Sequence, residues 1–98
     1  MWSIGVMMNK AIKLTIQGKV QGVGYRRWFE QQALALELKG YVKNLDSGEV
    51  EAVIIGTEYQ LHTIIECSYI GPSRAEVSKI IQVEFDQKQD FIAFKMLR

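Results

Sequence analysis

Tyr41-Val42-Lys43-Asn44-Leu45-Asp46-Ser47-Gly48-Glu49-Val50-Glu51-Ala52-Val53-Ile54-Ile55 reads as two strands joined by a tight turn. Asp46-Ser47-Gly48 is turn chemistry: a side chain that bonds its own backbone, followed by a glycine. In the second strand, Glu49 to Ile55, Val50, Ala52 and Ile54 alternate with Glu49, Glu51 and Val53, the period of a half-buried strand. The first strand is Tyr41 to Leu45. A connection this short makes the pair an antiparallel hairpin. Upstream, Ile12, Leu14 and Ile16 alternate with Lys13, Thr15 and Gln17, another strand. From Tyr25 the period changes, and Tyr25, Trp28, Phe29, Ala33 and Leu36 share one helical face, with Glu30, Gln31 and Glu37 elsewhere. Gly40 ends that element. Downstream, Thr57 and Gln60 form a capping box that opens a second helix. Its apolar stripe is Leu61, Ile64, Ile65 and Tyr69, and Gly71-Pro72 stops it. Val77 to Phe85 reads as a fourth strand with Ile81, Val83 and Phe85 alternating. Gln87 to Asp90 turns the chain, and Phe91 to Met96 is a short final strand.

The order βαββαβ contains two crossovers, each right-handed, which interleave in one common way at this size. The expected fold is α+β: a ferredoxin-like sandwich, an antiparallel sheet with two helices on one face and a short extra C-terminal strand. This fold hosts enzymes, metabolite sensors and RNA binders alike.

The chain has 98 residues, one domain's worth. Twelve basic and eleven acidic residues leave a net charge of +1, which excludes a polybasic arm for nucleic acid or a membrane surface. One cysteine forms no internal disulfide, which suits a reducing compartment, and the expected location is the cytoplasm. With one histidine and one cysteine, no structural zinc site is expected. His62 is read as a surface residue of the second helix and Cys67 as a small buried hydrophobe. No stretch has the roughly 18 apolar residues of a membrane span. Residues 1–9 read as an N-terminal extension without fixed structure, Met7 and Met8 being alternative starts. An added strand or a contact with a partner is the other reading. Residues 10–98 form the domain.

Two features break local rules. Gly18-Lys19-Val20-Gln21-Gly22-Val23-Gly24 leads into a helix with no Ser, Thr, Asp or Asn before it, so its first amides lack a side-chain cap. Arg26 and Arg27 stand in its first turn, where cations oppose the helix dipole. An anion would supply both the cap and the countercharge, with glycines letting the amides converge. The alternative is a plain loop with solvated arginines. It is not a P-loop, since neither the spacing nor the Ser/Thr is right. Asn44 is the second feature, because asparagine is depleted in strands. The alternative for it is that it opens the turn toward Asp46 and Gly48.

Gly18-Lys19-Val20-Gln21-Gly22-Val23-Gly24-Tyr25-Arg26 resembles the first signature of the acylphosphatases, G-x-V-Q-G-V-x-[FY]-R. Gly40-Tyr41-Val42-Lys43-Asn44-Leu45-Asp46-Ser47-Gly48-Glu49-Val50 resembles their second, G-[FYW]-[AV]-x-N-x-x-x-G-x-V, and the distance between the two fits. Gly71-Pro72, Ala75-Glu76-Val77 and Phe94 fit as well, so the likeness runs from about Lys10 to Arg98. It implies hydrolysis of a carboxylic–phosphoric anhydride, with no cofactor, no metal and no covalent intermediate. By position, Arg26 binds phosphate together with the amides of Gln21, Gly22, Val23, Gly24, Tyr25 and Arg26, and Asn44 orients the attacking water. Arg27 falls at an unspecified position and is left as a supporting charge. The implied partners are a small acyl phosphate substrate and inorganic phosphate as product and inhibitor, for a monomer that binds neither nucleic acid nor membrane. One departure stands out: Leu36-Glu37-Leu38 lies where many relatives have Leu-Gly-Leu. The rival reading is a non-enzymatic binding module. An RNA binder would carry stacking aromatics on its first and third strands, and Ile12 to Ile16 and Val50 to Ile54 have none. A regulatory domain that holds an anion at the same loop without turnover is separated by an assay.

Overall fold

The structure, a computed structural model, describes residues 9–84 and 91–98. The chain runs β1 (Lys10–Lys19), α1 (Tyr25–Ala35), β2 (Lys39–Asn44), β3 (Val50–Gly56), α2 (Glu58–Ile70), β4 (Glu76–Glu84) and β5 (Phe94–Met96). The five strands form one sheet in the order β4-β1-β3-β2-β5. The first four pair antiparallel, as expected. The extra strand β5 joins parallel to β2, which makes the sheet mixed. It is shorter than the expected Phe91 to Met96. Residues 1–8 of the N-terminal extension, the end of the fourth strand at Phe85 and the turn at Gln87 to Asp90 lie outside the described residues.

The main core sits between the sheet and the helices. Leu14 and Ile16 of β1, Val42 of β2 and Val50, Ala52 and Ile54 of β3 are buried there, the phase that the alternation gives. α1 contributes Tyr25, Phe29 and Ala33, spaced four apart so that they stack along one face. Trp28 and Leu36 are only partly buried against them.

Several expectations are corrected. On β4, Ile80 faces the helices, while Ile81 and Val83 lie exposed at 39% and 47%. The cause is a register shift: Gln17 pairs with Lys79 but Gly18 with Val77, so β4 carries one extra residue. A bulge of this kind resets the alternation, and Val77 and Ile80 both pack on the core although three apart. On α2, Leu61 and Ile64 are buried and Ile65 packs partly on the core as expected, but Ser68 takes the place expected for Tyr69, which is exposed. The Ser68 hydroxyl is satisfied by donating to the Ile64 carbonyl at 2.6 Å. Cys67, one step round from Ser68, is half-buried rather than fully buried. Val53 and Ile55 are buried on the other face of the sheet, where Ala11 joins them and Tyr41 and Phe91 pack alongside.

The capping box of α2 is present: the Thr57 hydroxyl accepts from the Gln60 amide, and the Gln60 side chain accepts from the Thr57 amide. α1 ends at Ala35, short of the expected Gly40, which lies in β2. Glu37 takes a left-handed backbone, φ 59°. The Leu38 amide donates to the Ala33 carbonyl and the Glu37 amide to the Leu34 carbonyl, a Schellman closure with glutamate where glycine is favoured. Left-handed backbone costs an L-residue roughly 1–2 kcal/mol. Glycine's greater freedom in the unfolded chain gives back about 0.4–1 kcal/mol of that. Glu37→Gly should therefore stabilise the protein by roughly 0.5–1 kcal/mol, a rise of roughly 2–8 °C in Tm for a domain of this size. Thermal melting checks this, and an unchanged or lower Tm refutes it.

Candidate active site

The loop between β1 and α1 is built by dividing its residues between the core and the surface. Val20 and Tyr25 are 1% exposed, and Val23 packs partly against the same core. Tyr25 is held further by its hydroxyl, which donates to the Ser68 carbonyl at 2.7 Å. Burial pushes the Tyr25 hydroxyl above the usual tyrosine range. With the apolar residues anchored below, Gly22 and Gly24 stay exposed in left-handed backbone, φ 76° and 81°. Only glycine takes that conformation without strain.

Gly24 is the N-cap of α1 and supplies no side-chain cap. The first hydrogen bond inside the helix is from the Trp28 amide to the Gly24 carbonyl, 3.0 Å. The amides of Tyr25, Arg26 and Arg27 therefore precede it, and no acidic residue stands in the first turn. Beside them is a cleft of about 200 Å³. Gln21, Gly22, Gly24, Tyr25, Arg26 and Arg27 line one side, and Asn44 stands at the end of β2. Val20 and Met96 complete the lining. No carboxylate and no histidine is among these residues, so the helix terminus and two guanidinium groups dominate the field.

Asn44 reaches the cleft because of its phase. It pairs with Val50, which pairs in turn with Ile16. It thus occupies the core-facing position two residues after buried Val42, at the end of the sheet nearest the start of α1. Its Oδ1 is buried with no hydrogen-bond partner among the described residues. Leaving a buried polar atom unsatisfied costs roughly 1–3 kcal/mol, a penalty that a bound water or ligand removes. The turn is held by other groups: Leu45 and Glu49 close it through their backbones at 2.8 Å, and the Ser47 hydroxyl donates to the Glu49 carboxylate at 2.8 Å.

Arg26 is half-buried, and its Nη1 donates to the Leu97 carbonyl at 2.6 Å. One turn along α1, the Glu30 carboxylate accepts from the Met96 amide at 3.2 Å. The C-terminal strand is thus docked against the face of α1 that carries the site.

The residues expected at the site, Gln21, Gly22, Val23, Gly24, Tyr25, Arg26 and Asn44, come together with one distinction: the Val23 side chain turns to the core and does not line the cleft. Met96 was not anticipated. It arrives through the parallel pairing of β5 with β2, where it stands opposite Val42, and no local pattern announces that. The side-chain bonds of Gln21 to the hairpin were also missed, since a loop glutamine carries no signal of its partner. His62 lies on the exposed face of α2, 3.3 Å from Glu66, in a separate groove. Glu49 accepts from the Gln17 amide at 2.6 Å and from Ser47, and these bonds hold its carboxyl below the usual range. Among the described residues, no three His, Cys, Asp or Glu side chains are grouped to hold a metal ion. No described helix is long and apolar enough to cross a membrane.

The acylphosphatase family model matches residues 12–96. The chain belongs to the acylphosphatase family. A curated acylphosphatase from Acaryochloris marina is 45% identical over 87 residues, spanning 89% of this chain and 92% of that one. Among solved structures, an acylphosphatase from Coxiella burnetii superposes with a TM-score of 0.87 at 34% identity, over 92% of this chain and 94% of that one. The acylphosphatase from Bacillus subtilis gives the same TM-score of 0.87 at 30% identity, covering 93% of this chain and all of its own. Both acylphosphatase signatures, and the cleft they build, fall inside the matched span.

Proposed function

We propose a division of labour by which this acylphosphatase hydrolyses acyl phosphates to carboxylate and inorganic phosphate. The amides of the Gln21–Arg26 loop and the Arg26 guanidinium hold the phosphoryl group, and Asn44 orients the water that attacks phosphorus. The observation that carries this is one cleft with an uncapped helix terminus and Arg26 on one side and the buried Oδ1 of Asn44, without a partner among the described residues, on the other.

The chemistry fits this inventory. The phosphoryl oxygens are anionic throughout, so amides and guanidinium stabilise them at every stage. Water oxygen bonds to phosphorus as the phosphorus–acyl oxygen bond breaks, and the carboxylate departs with that electron pair. A carboxylate is a good leaving group, so positioning and charge supply the catalysis without a strong base. Among the described residues, no His, Asp or Glu lines the cleft to take the water's proton, and a phosphoryl oxygen of the substrate receives it. The enzyme acts as a monomer on a free small molecule in the cytoplasm, without a metal.

Assay with benzoyl phosphate tests the reading. Turnover should persist in EDTA, and inorganic phosphate should inhibit competitively, because product and substrate share the loop. No turnover of any acyl phosphate, activity lost to EDTA and restored by a divalent ion, or noncompetitive phosphate inhibition would each contradict it.

A further inference from the structure

The Gln21 side chain reaches across to the β2–β3 turn. Its one amide nitrogen donates to the Leu45 carbonyl at 2.9 Å and to the Glu49 carbonyl at 2.9 Å. Both N–H groups of the side chain are thereby used. These two carbonyls are the acceptors that close the turn: Leu45 accepts from the Gly48 amide and Glu49 from the Leu45 amide. Leu45 directly follows Asn44. The β2–β3 ladder ends at the Asn44–Val50 pair, so residues 45–49 project beyond the sheet. Past that point the bond from Gln17 to the Glu49 carboxylate and the two bonds from Gln21 tie the turn to β1 and the loop.

We infer that Gln21 is a positioning residue: its side chain fixes Asn44 relative to the phosphate loop, and so sets the line of attack. This rests on the roles proposed above for the loop and Asn44. One residue would then serve both halves of the reaction, its backbone in the loop that holds phosphorus and its side chain on the hairpin that holds the water. In-line attack needs the reacting atoms about 3–3.5 Å apart and aligned, and a displacement of about 1 Å costs on the order of 10²-fold. Losing the tie should therefore appear in turnover far more than in phosphate affinity.

The test is a double-mutant cycle. Gln21→Met removes both donors and keeps the backbone amide and the length. Gln21→Ala is made in parallel, so that a misfit thioether is not the cause of any loss. Folding is checked by thermal melting with saturating phosphate. Each folded variant should lose at least tenfold in kcat, with the inhibition constant for phosphate within threefold of the parent. In an Asn44→Ala background the same change should cost less than threefold, because there is no longer a positioned amide to misplace. Unchanged kcat in both variants overturns the inference, and so does an equal loss with and without Asn44. Failure of both to fold even with phosphate also overturns it, since the bonds would then hold the fold rather than the line of attack. A fully active Asn44→Ala parent is a different result: it refutes the proposed role of Asn44, on which this inference depends.

Discussion

Arg26→Ala is expected to lose at least about 10³-fold in kcat/KM, the lower range for removing an arginine that stabilises a transferring phosphoryl group. The loss should appear in two readouts. Inorganic phosphate should bind much more weakly, because the guanidinium meets a charge present in product and substrate alike. Turnover should also collapse, because that charge redistributes in the transition state. Arg26→Lys should do little better. An ammonium is a point charge and cannot make the planar two-pronged contact. It also cannot keep the same reach to the Leu97 carbonyl, which Arg26 Nη1 now meets at 2.6 Å. That second bond gives Arg26 a share in docking the C-terminal strand. A hydrogen bond of this kind contributes about 1 kcal/mol, so a modest fall in Tm should accompany the kinetic loss. A folded Arg26→Ala that binds phosphate normally would contradict the reading. Arg27 would then be the cation to examine, since it lines the same cleft.

The sequence is legible where local physics and tertiary contacts agree. The period-2 runs of β1 and β3, the Thr57–Gln60 capping box and the glycine-rich loop all announce themselves. The end of α1 does not: its period carries on toward Gly40, yet a Schellman closure with glutamate where glycine is favoured stops the helix at Ala35. Legibility fails where a distant strand decides. Apolar residues at both Ile80 and Ile81 leave the phase of β4 open, and only its register shift against Gln17 and Gly18 selects Ile80 for the core. Val53 and Ile55 read as the polar side of β3 by alternation, yet a second apolar cluster covers them on the opposite face. Ser68 displaces Tyr69 from the core of α2 because a small hydroxyl can satisfy itself on its own helix, whereas position 69 turns to solvent. In the site, residue types sufficed to mark Arg26 and Asn44 as oddities. The parts that join them, the Gln21 bonds and the arrival of Met96, are contacts between segments far apart in the chain and leave no local trace.

Asn44→Ala separates catalysis from folding more cleanly than any other change at this cleft. Asparagine at a core-facing strand position is unfavourable unless something repays it. Nothing among the described residues does, since Oδ1 is buried without a partner. Nor does the side chain support the turn, which closes through Leu45, Ser47, Gly48, Glu49 and Gln21. The variant should therefore melt at or slightly above the parent temperature. Phosphate inhibition should change little, because the loop amides and Arg26 are untouched. Turnover should fall by about 10²–10³ or more, the typical loss of one well-placed polar group at a reacting centre, equivalent to roughly 2.7–4 kcal/mol. The combination is diagnostic. A residue that only shaped the hairpin would lose stability first and activity as a consequence, with phosphate affinity falling alongside. A residue that orients water loses kcat alone, with the Tm and the phosphate inhibition constant in place. If a folded Asn44→Ala keeps near-normal turnover, the water is held by some other group, and the cost of burying the unpartnered Oδ1 there has another explanation.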